Sequence, residues 1–319
     1  MRVLKPRILV IGDARTEIVV STDSMPERNG KSEADGIDYY PGGKGIISSV
    51  ALARLGADAV LCSALGDDTY EKELVEYLES ERVDSRYSPK KRGESTPIDV
   101  IIKDYNDNEK TITYRGAIDK LTEGDIEEAF ISYPDAVILH GALPEKIIDE
   151  TVRQSSEHGL PMFLLTLPDP SRYPLSRIGE CEILMTDENG AVKYTGIRPS
   201  DQEKCMRACI ALSQRVKAKY VIIRLGERGT FLFDGKFSTF VSAYDVPQPK
   251  GVESDDAFGA ALVYEYLRSD GDIARACDFA TVVSAVFLTR GGGLRAYPYL
   301  EDVRRFVKRN EIDYDVDEL

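Results

Sequence analysis

Residues 250–261 read Lys-Gly-Val-Glu-Ser-Asp-Asp-Ala-Phe-Gly-Ala-Ala, a polar loop that runs straight into a largely apolar helix. Ser254 has the chemistry of an N-cap, and Ala257, Phe258, Ala260, Ala261, Leu262, Tyr264 and Leu267 supply the helix after it. A helix start offers unpaired backbone N–H groups and the positive end of a dipole, so it receives anions. Asp256, in the first turn, would stand beside that anion, where a general base is needed next to a phosphoryl group. The same carboxylates also suit an ordinary capped helix, because acidic residues favour any helix start. A second stretch, Pro41-Gly42-Gly43-Lys44-Gly45, leads into apolar residues 46 to 55 and a C-cap at Gly56. Gly42 and Gly43 let backbone approach a ligand closely, and they equally make a tight turn. Lys44 is not a P-loop lysine, because Gly45 follows where Ser or Thr is needed.

Other chemistries are thinly supplied. Two histidines are present, His140 and His158, and His140 closes the apolar run Ala136-Val-Ile-Leu139, which reads as a structural strand end. Cys62, Cys181, Cys205, Cys209 and Cys277 are odd in number and scattered, which suits a reducing cytoplasm. Cys205 and Cys209 are four apart on a helical stretch, but the chain lacks the histidines to complete a zinc site. No G-x-S-x-G occurs, so a serine hydrolase is not supported.

The elements that must position Asp256 and Lys44 alternate. Strands are expected at 8–11, 59–64, 136–139, 162–165, 182–185 and 220–224, with helices at 46–55, 67–80, 144–158, 188–195, 200–215, 254–268, 272–289 and 298–309. A hairpin is expected over 230–241. The alternation predicts a mostly parallel sheet covered by helices on both faces, an α/β fold in three layers. Segments 15–40 and 94–116 break the rhythm with short strands, among them Ile98-Asp-Val-Ile-Ile102 and Lys110-Thr-Ile-Thr-Tyr114. They are expected to pair into a small β lid over the carboxyl edge of the main sheet, where α/β ligands bind. With no repeat or linker visible, residues 1–319 read as one domain.

The composition closes off several classes. The chain has 319 residues, 42% hydrophobic and 30% charged, with net charge −14 and pI about 4.8. An acidic protein without a Lys/Arg-rich block lacks the basic patch that nucleic acid or an anionic membrane requires. No apolar run approaches transmembrane length, and the start of the chain, Met1 to Lys5 and then Arg7-Ile-Leu-Val-Ile-Gly12, reads as a buried strand rather than a secretory signal. Val316-Asp-Glu-Leu319 is similar to an ER-retention tail but reads as the end of an acidic tail.

Taken as an ordered set, the motifs resemble the ribokinase-like (PfkB) carbohydrate kinases. The set comprises Pro41-Gly42-Gly43-Lys44-Gly45, Ala51-Leu-Ala-Arg54-Leu-Gly56, Leu65-Gly66-Asp67-Asp68, Gly116-Ala117, Leu121-Thr122, Leu225-Gly226-Glu227-Arg228-Gly229 and Asp256-Ala257-Phe258. The resemblance covers nearly the whole chain. It implies ATP- and Mg2+-dependent transfer of a phosphoryl group to a hydroxyl of a sugar, nucleoside or similar alcohol. It also implies a base at Asp256, an anion hole in the backbone of Glu253, Ser254 and Asp255, and an acceptor pocket near Glu17, Gly42, Gly43 and Lys44. The nucleotide would run along Arg224, Gly226 and Gly229 and the helix around 280 to 288, with Asp187 as a magnesium contact.

The departures from the family pattern are chemically pointed. Glu253-Ser254-Asp255-Asp256 stands where the family has Gly-Ala-Gly-Asp, Asp187-Glu188-Asn189-Gly190 where it has Asn-x-x-Glu, Ile47 at the substrate asparagine, and Arg224 for the threonine of Thr-Leu-Gly. Two carboxylates then face the phosphate site. A like-charge pair about 4 Å apart costs about 4 kcal/mol at an effective dielectric near 20. A helix N-terminus returns only about 0.3–2 kcal/mol. ATP is therefore expected to bind poorly unless those side chains point away or bind cations. Arg15-Thr16-Glu17 replaces Asn-x-Asp, so Arg15, Lys44 and Arg115 either converge on an anionic ligand or pair with lid carboxylates such as Glu17, Glu33 and Asp35. Two functions follow: an active kinase, or a family member that binds a sugar or nucleoside without phosphorylating it. Exposed lid edges with Ile98, Val100, Ile102 and Ile112 predict a homodimer through the lid.

Overall fold

The computed structural model describes residues 5–106, 108–246, 249, 254–312 and 314. The chain begins β1 (Arg7–Ile11), β2 (Arg15–Thr22), β3 (Ala34–Gly42), α1 (Lys44–Leu55), β4 (Asp58–Cys62), α2 (Thr69–Ser80), β5 (Ile98–Asp104), β6 (Glu109–Tyr114) and α3 (Glu123–Phe130). It continues β7 (Ala136–His140), α4 (Glu145–Glu157), β8 (Met162–Thr166), β9 (Glu180–Asp187), α5 (Glu188–Thr195), α6 (Gln202–Ser213) and β10 (Lys217–Arg224). The last elements are β11 (Thr230–Phe233), β12 (Ser238–Val241), α7 (Ser254–Arg268), α8 (Ile273–Arg290) and α9 (Leu300–Arg309).

Eight strands form the main sheet in the order β12-β11-β10-β9-β8-β7-β1-β4. The six from β10 to β4 are parallel, and β11 and β12 add an antiparallel edge. Strand alternation divides the core between the two faces. Ile8, Val10, Ile138, Phe163 and Ile222 join Leu52, Phe258, Phe279 and Val303 of α1, α7, α8 and α9 on one side. Leu9, Ile11, Val137, Leu164 and Ile223 join Ile126, Ile147 and Cys209 of α3, α4 and α6 on the other. The result is a three-layer α/β/α fold.

A separate sheet of four strands, β3-β2-β5-β6, is built from the two segments that break the alternation. It starts within four residues of the end of β1, and β3 leads directly into α1. Its strands are longer than their local apolar runs, with β2 and β3 paired from Arg15↔Gly42 to Val20↔Ile37. Ladder bonds carry polar residues such as Glu17 and Asp38 into strand structure that propensity alone does not demand.

Two helix placements depend on missing side chains. A Cβ on Gly45 would stand 2.8 Å from the Gly12 carbonyl carbon, and one on Gly12 would stand 2.9 Å from the Gly45 Cα. Only a glycine pair lets the first turn of α1 rest on the end of β1. A Cβ on Gly259 would meet Met185 Cε at 2.9 Å and Leu165 Cδ1 at 3.1 Å, so α7 lies close against β8 and β9. Helix α7 begins at Ser254, which makes Ser254 its first helical residue rather than its cap.

Candidate active site

The parallel strands end at Ile11, Cys62, His140, Thr166, Asp187 and Arg224, and the starts of α1 and α7 come to that edge. Lys44 opens α1 and Asp256 lies in the first turn of α7. Their side chains meet, Nζ to Oδ2, at 2.5 Å. Burial pushes the Asp256 carboxyl above the ordinary aspartate range; Lys44 opposes that rise, while the nearby Asp255 and Asp13 add to it. A desolvated carboxylate with a raised proton affinity is what a general base requires.

The neighbouring carboxylate is held differently. Asp255 Oδ1 accepts from Arg224 Nε at 2.9 Å, and Arg224 Nη1 donates to Thr230 Oγ1 at 2.5 Å. The guanidinium lies over the Phe258 ring, 4.1 Å from its centroid. The expected repulsion at this helix start is thus relieved at Asp255 by a cation from the end of β10. Glu253, the other carboxylate expected there, lies outside the described residues.

Lys44 and Arg115 line one cleft, and Arg15 does not join them. Arg15 bonds Asp13 Oδ2 through Nε at 2.7 Å and Asp99 Oδ2 through Nη1 at 2.5 Å, and it does not line the cleft. Its partners are therefore Asp13 and Asp99 rather than Glu17, Glu33 or Asp35. Parallel pairing with β5 brings Asp99 to it, while Asp13 precedes it by two residues in the loop after β1. Arg115 pairs with Asp119 at 2.8 Å and donates to the Ala142 carbonyl at 3.1 Å. The glycines also differ from expectation. Where Gly42 lacks a Cβ the nearest atom is Glu17 Oε1, and where Gly43, at φ 91°, lacks one the nearest are Asp13 O and Oδ2. The close approach they permit on that side is to protein carboxylates. Ile47 sits in the apolar core.

Beneath the start of α1, His140 is buried between Ser48 Oγ, 2.9 Å from Nε2, and Thr166 Oγ1, 3.0 Å from Nδ1. Burial lowers its pKa to about 4, so it is a neutral strut in keeping with its place at a strand end.

A cleft of about 1180 Å³ runs from Lys44, Arg115 and Ala142 past Thr166 and Asp187 to Arg224, Asp255 and Asp256. Gly226 and Gly229 do not line it. They shape the β10–β11 turn at φ 59° and 108°, with a Leu225 N–H to Gly229 O bond of 2.8 Å. The helix stretch at 280–288 lies in α8, where Ser284 Oγ donates to the Ser254 carbonyl at 2.9 Å. Asp187 caps α5, its Oδ1 accepting from the Gly190 N–H at 2.6 Å. Gly190 replaces the expected glutamate in a tight place, since a Cβ there would stand 2.1 Å from Thr186 Oγ1. Among the described residues no three His, Cys, Asp or Glu groups cluster to cage a metal. A Mg2+ ion needs no such cage, because it is usually held by one or two carboxylates together with phosphate oxygens and water. Asp187, with Oδ2 uncommitted to the cap, fits that role.

The family model described as pfkB family carbohydrate kinase matches residues 5–298. The chain belongs to the pfkB family of carbohydrate kinases. It is similar to the deoxyribokinase of Salmonella typhimurium, 24% identical over 306 residues that cover 95% of this chain and 99% of that one. It is similar to the ribokinase of Bacillus subtilis, 26% identical over 306 residues covering 94% and 99%. A structure of Arabidopsis thaliana ribokinase complexed with ribose and ATP superposes with a TM-score of 0.83 at 20% identity, covering 95% of this chain and 99% of that one. The fold is accordingly the ribokinase-like one.

Set against that family membership, several residues in or behind the cleft carry no motif. Asp13 is 2% exposed and touches both Arg15 and the turn at Gly43. Its signal was position, a carboxylate directly after the first apolar strand. Thr166 and the loop 167–173 line the cleft because they follow β8, and the strand-end rule for parallel sheets points to them without any motif.

Proposed function

We propose that this pfkB-family protein transfers the γ-phosphoryl group of ATP to a hydroxyl of a sugar, nucleoside or related small alcohol. The observation that carries the reading is the Lys44–Asp256 pair, a desolvated carboxylate in the first turn of a 15-residue helix at the edge of the sheet where α/β ligands bind. The acceptor hydroxyl passes its proton to Asp256 as its oxygen bonds to the γ-phosphorus. The bond from that phosphorus to the β–γ bridging oxygen breaks, and ADP leaves with the electron pair. The backbone N–H groups of Ser254 and Asp255, with that of Glu253, receive the developing charge. Lys44 opposes the rise that burial imposes on the Asp256 carboxyl, and with Glu17, Gly42 and Gly43 borders the acceptor. Arg15 and Arg115 hold that border in place through Asp13, Asp99 and Asp119. Arg224 and Asp187 border the donor, with Gly226 and Gly229 shaping the turn behind it. Mg2+ held at Asp187 would supply neutralising charge to the phosphates.

The names of the relatives make pentoses the first acceptors to try. The test is ADP formation from Mg-ATP with ribose, 2-deoxyribose, hexoses and nucleosides. Acceptor-dependent ADP release supports the kinase. An acceptor that binds at the cleft without any transfer overturns it in favour of the non-phosphorylating reading, which the core placement of Ile47 and the loss of the glutamate at Gly190 would then explain.

We also propose that the four-stranded sheet is a lid and that two copies pair through it, in one ribokinase-like domain per chain. Ile37, Tyr39, Ile112 and Tyr114, on one face of that sheet by register, are 52%, 55%, 67% and 52% exposed. Unpaired β3 and β6 edges flank them. Light scattering of Ile112→Glu against the parent chain decides this: a shift from dimer to monomer supports the lid interface, and an unchanged mass overturns it. The five described cysteines are buried and unpaired, which supports a cytoplasmic location. No helix among the described residues is long and apolar enough to cross a membrane.

A further inference from the structure

Two departures from the family pattern meet in space. Arg224 stands where the pattern has threonine, and Asp255 where it has glycine, 31 positions along the chain. The Arg224 side chain is 5% exposed, so an unpaired charge there would be costly, yet it also lines the cleft. Its plane is fixed by three contacts: Nε to Asp255, Nη1 to Thr230, and one face against the buried Phe258 ring. Nη2 has no hydrogen-bond partner among the described residues. A guanidinium is a rigid fork matched to phosphate oxygens, and this one is held beside the start of α7, whose dipole favours an anion.

We propose that Arg224 and Asp255 are a single unit, in which Asp255 orients a fixed guanidinium whose remaining N–H groups bind a phosphate of a polyphosphate donor at the start of α7. This rests on the reading of that helix start as the phosphate site. Neither residue serves alone. Without Arg224, Asp255 leaves an unneutralised carboxylate facing the phosphates. Without Asp255, the guanidinium loses its orientation but also an opposing charge, and the two effects offset. The double replacement Arg224→Thr with Asp255→Gly returns both positions to the family pattern and removes both charges together.

The test is a double-mutant cycle read by calorimetry, with Mg-ATP and, separately, inorganic tripolyphosphate as probes. Arg224→Thr is expected to weaken binding of both probes at least about tenfold, which is about 1.4 kcal/mol. Asp255→Gly is expected to stay within about threefold of the parent, and the double variant to recover most of the loss, the signature of coupled neighbours. Arg224→Lys keeps the charge without the fork and is expected to bind more weakly than the parent, which gives a second reading if Arg224→Thr does not fold. Thermal unfolding is measured on all variants, because a merely structural ion pair would couple in the melting temperature and leave the dissociation constants unmoved. That pattern overturns the inference, as does a double variant no better than Arg224→Thr. Tripolyphosphate binding that follows the cycle in a protein that ignores ATP would uphold the inference and overturn the ATP reading. Binding of neither probe overturns both.

Discussion

The two helix starts that meet at the cleft are built by opposite means. The start of α1 is secured by absent side chains: Gly12 and Gly45 pack without Cβ atoms, and Gly43 turns at φ 91° over Asp13. The start of α7 is secured by charge, with Asp256 held by Lys44 and Asp255 by Arg224. The first keeps the Gly42-Gly43-Lys44-Gly45 run of the family pattern but carries Ile47 at its asparagine, and the second replaces its glycines with carboxylates. Steric close packing has few alternatives, because any side chain at Gly45 displaces backbone. An electrostatic arrangement has several, because a carboxylate can be added where a cation is added opposite. The divergence sits where a compensating pair is possible.

The largest effect that separates the two starts is chemical. Asp256→Asn is expected to lower turnover by about 10²–10⁴-fold, the usual contribution of a general base. Ligand binding should stay near the parent value. Equal losses of turnover and binding, measured by kinetics and calorimetry, would reduce Asp256 to a structural residue.

Beneath α1, the buried His140 ties the helix to β7 and β8 through Ser48 and Thr166. Its pKa falls from 6.5 to about 4, so between those values the unfolded chain binds more protons than the native one. Stability is then full above pH 6.5 and declines as pH falls, by up to about 3 kcal/mol if the shift is fully expressed. Urea denaturation across this range should show that loss, and His140→Gln should show less of it. Equal acid sensitivity in the two proteins would remove His140 from the account of α1.

A comparable cost follows from filling the glycine contact. Gly45→Ala would place a Cβ 2.7 Å from Asp13 O, and overpacking of this kind costs about 1–3 kcal/mol. At the charge-built start, Asp255→Gly leaves the 5% exposed Arg224 without its carboxylate and should also lower the melting temperature, but adding Arg224→Thr should restore most of that loss. Failure of the second substitution to restore stability would erase the distinction between the two starts.

The smallest effect is a displacement of a pH profile. Burial raises the Asp256 pKa and Lys44 opposes it, so Lys44→Met should move the acid limb of the rate profile to higher pH. An unmoved limb would mean that Lys44 does not set the protonation of Asp256.

The sequence disclosed what is local. β1 and β7 hold plain aliphatic runs, α1 follows its glycines, and Lys44 and Asp256 are marked by spacing. What it hid depends on distant chain segments meeting. Arg15 and Asp99 lie 84 positions apart and Arg224 and Asp255 lie 31 apart, so no window contains either pair. Arg15 stays out of the cleft that Lys44 and Arg115 line for the same reason: register, not composition, decides that Asp99 lies beside Glu17 and within reach of Arg15. The use of Gly42 and Gly43 was legible as a need for space, but which atoms fill that space was not.

The central claim is that the start of α7 accepts a nucleotide polyphosphate despite its added carboxylates, and calorimetric titration of the purified protein with Mg-ATP tests it without knowledge of the acceptor. Saturable binding between about 1 μM and about 1 mM, the usual range for enzyme substrates, is the predicted result. Absence of saturable binding at several millimolar, with the protein folded by circular dichroism, would contradict it.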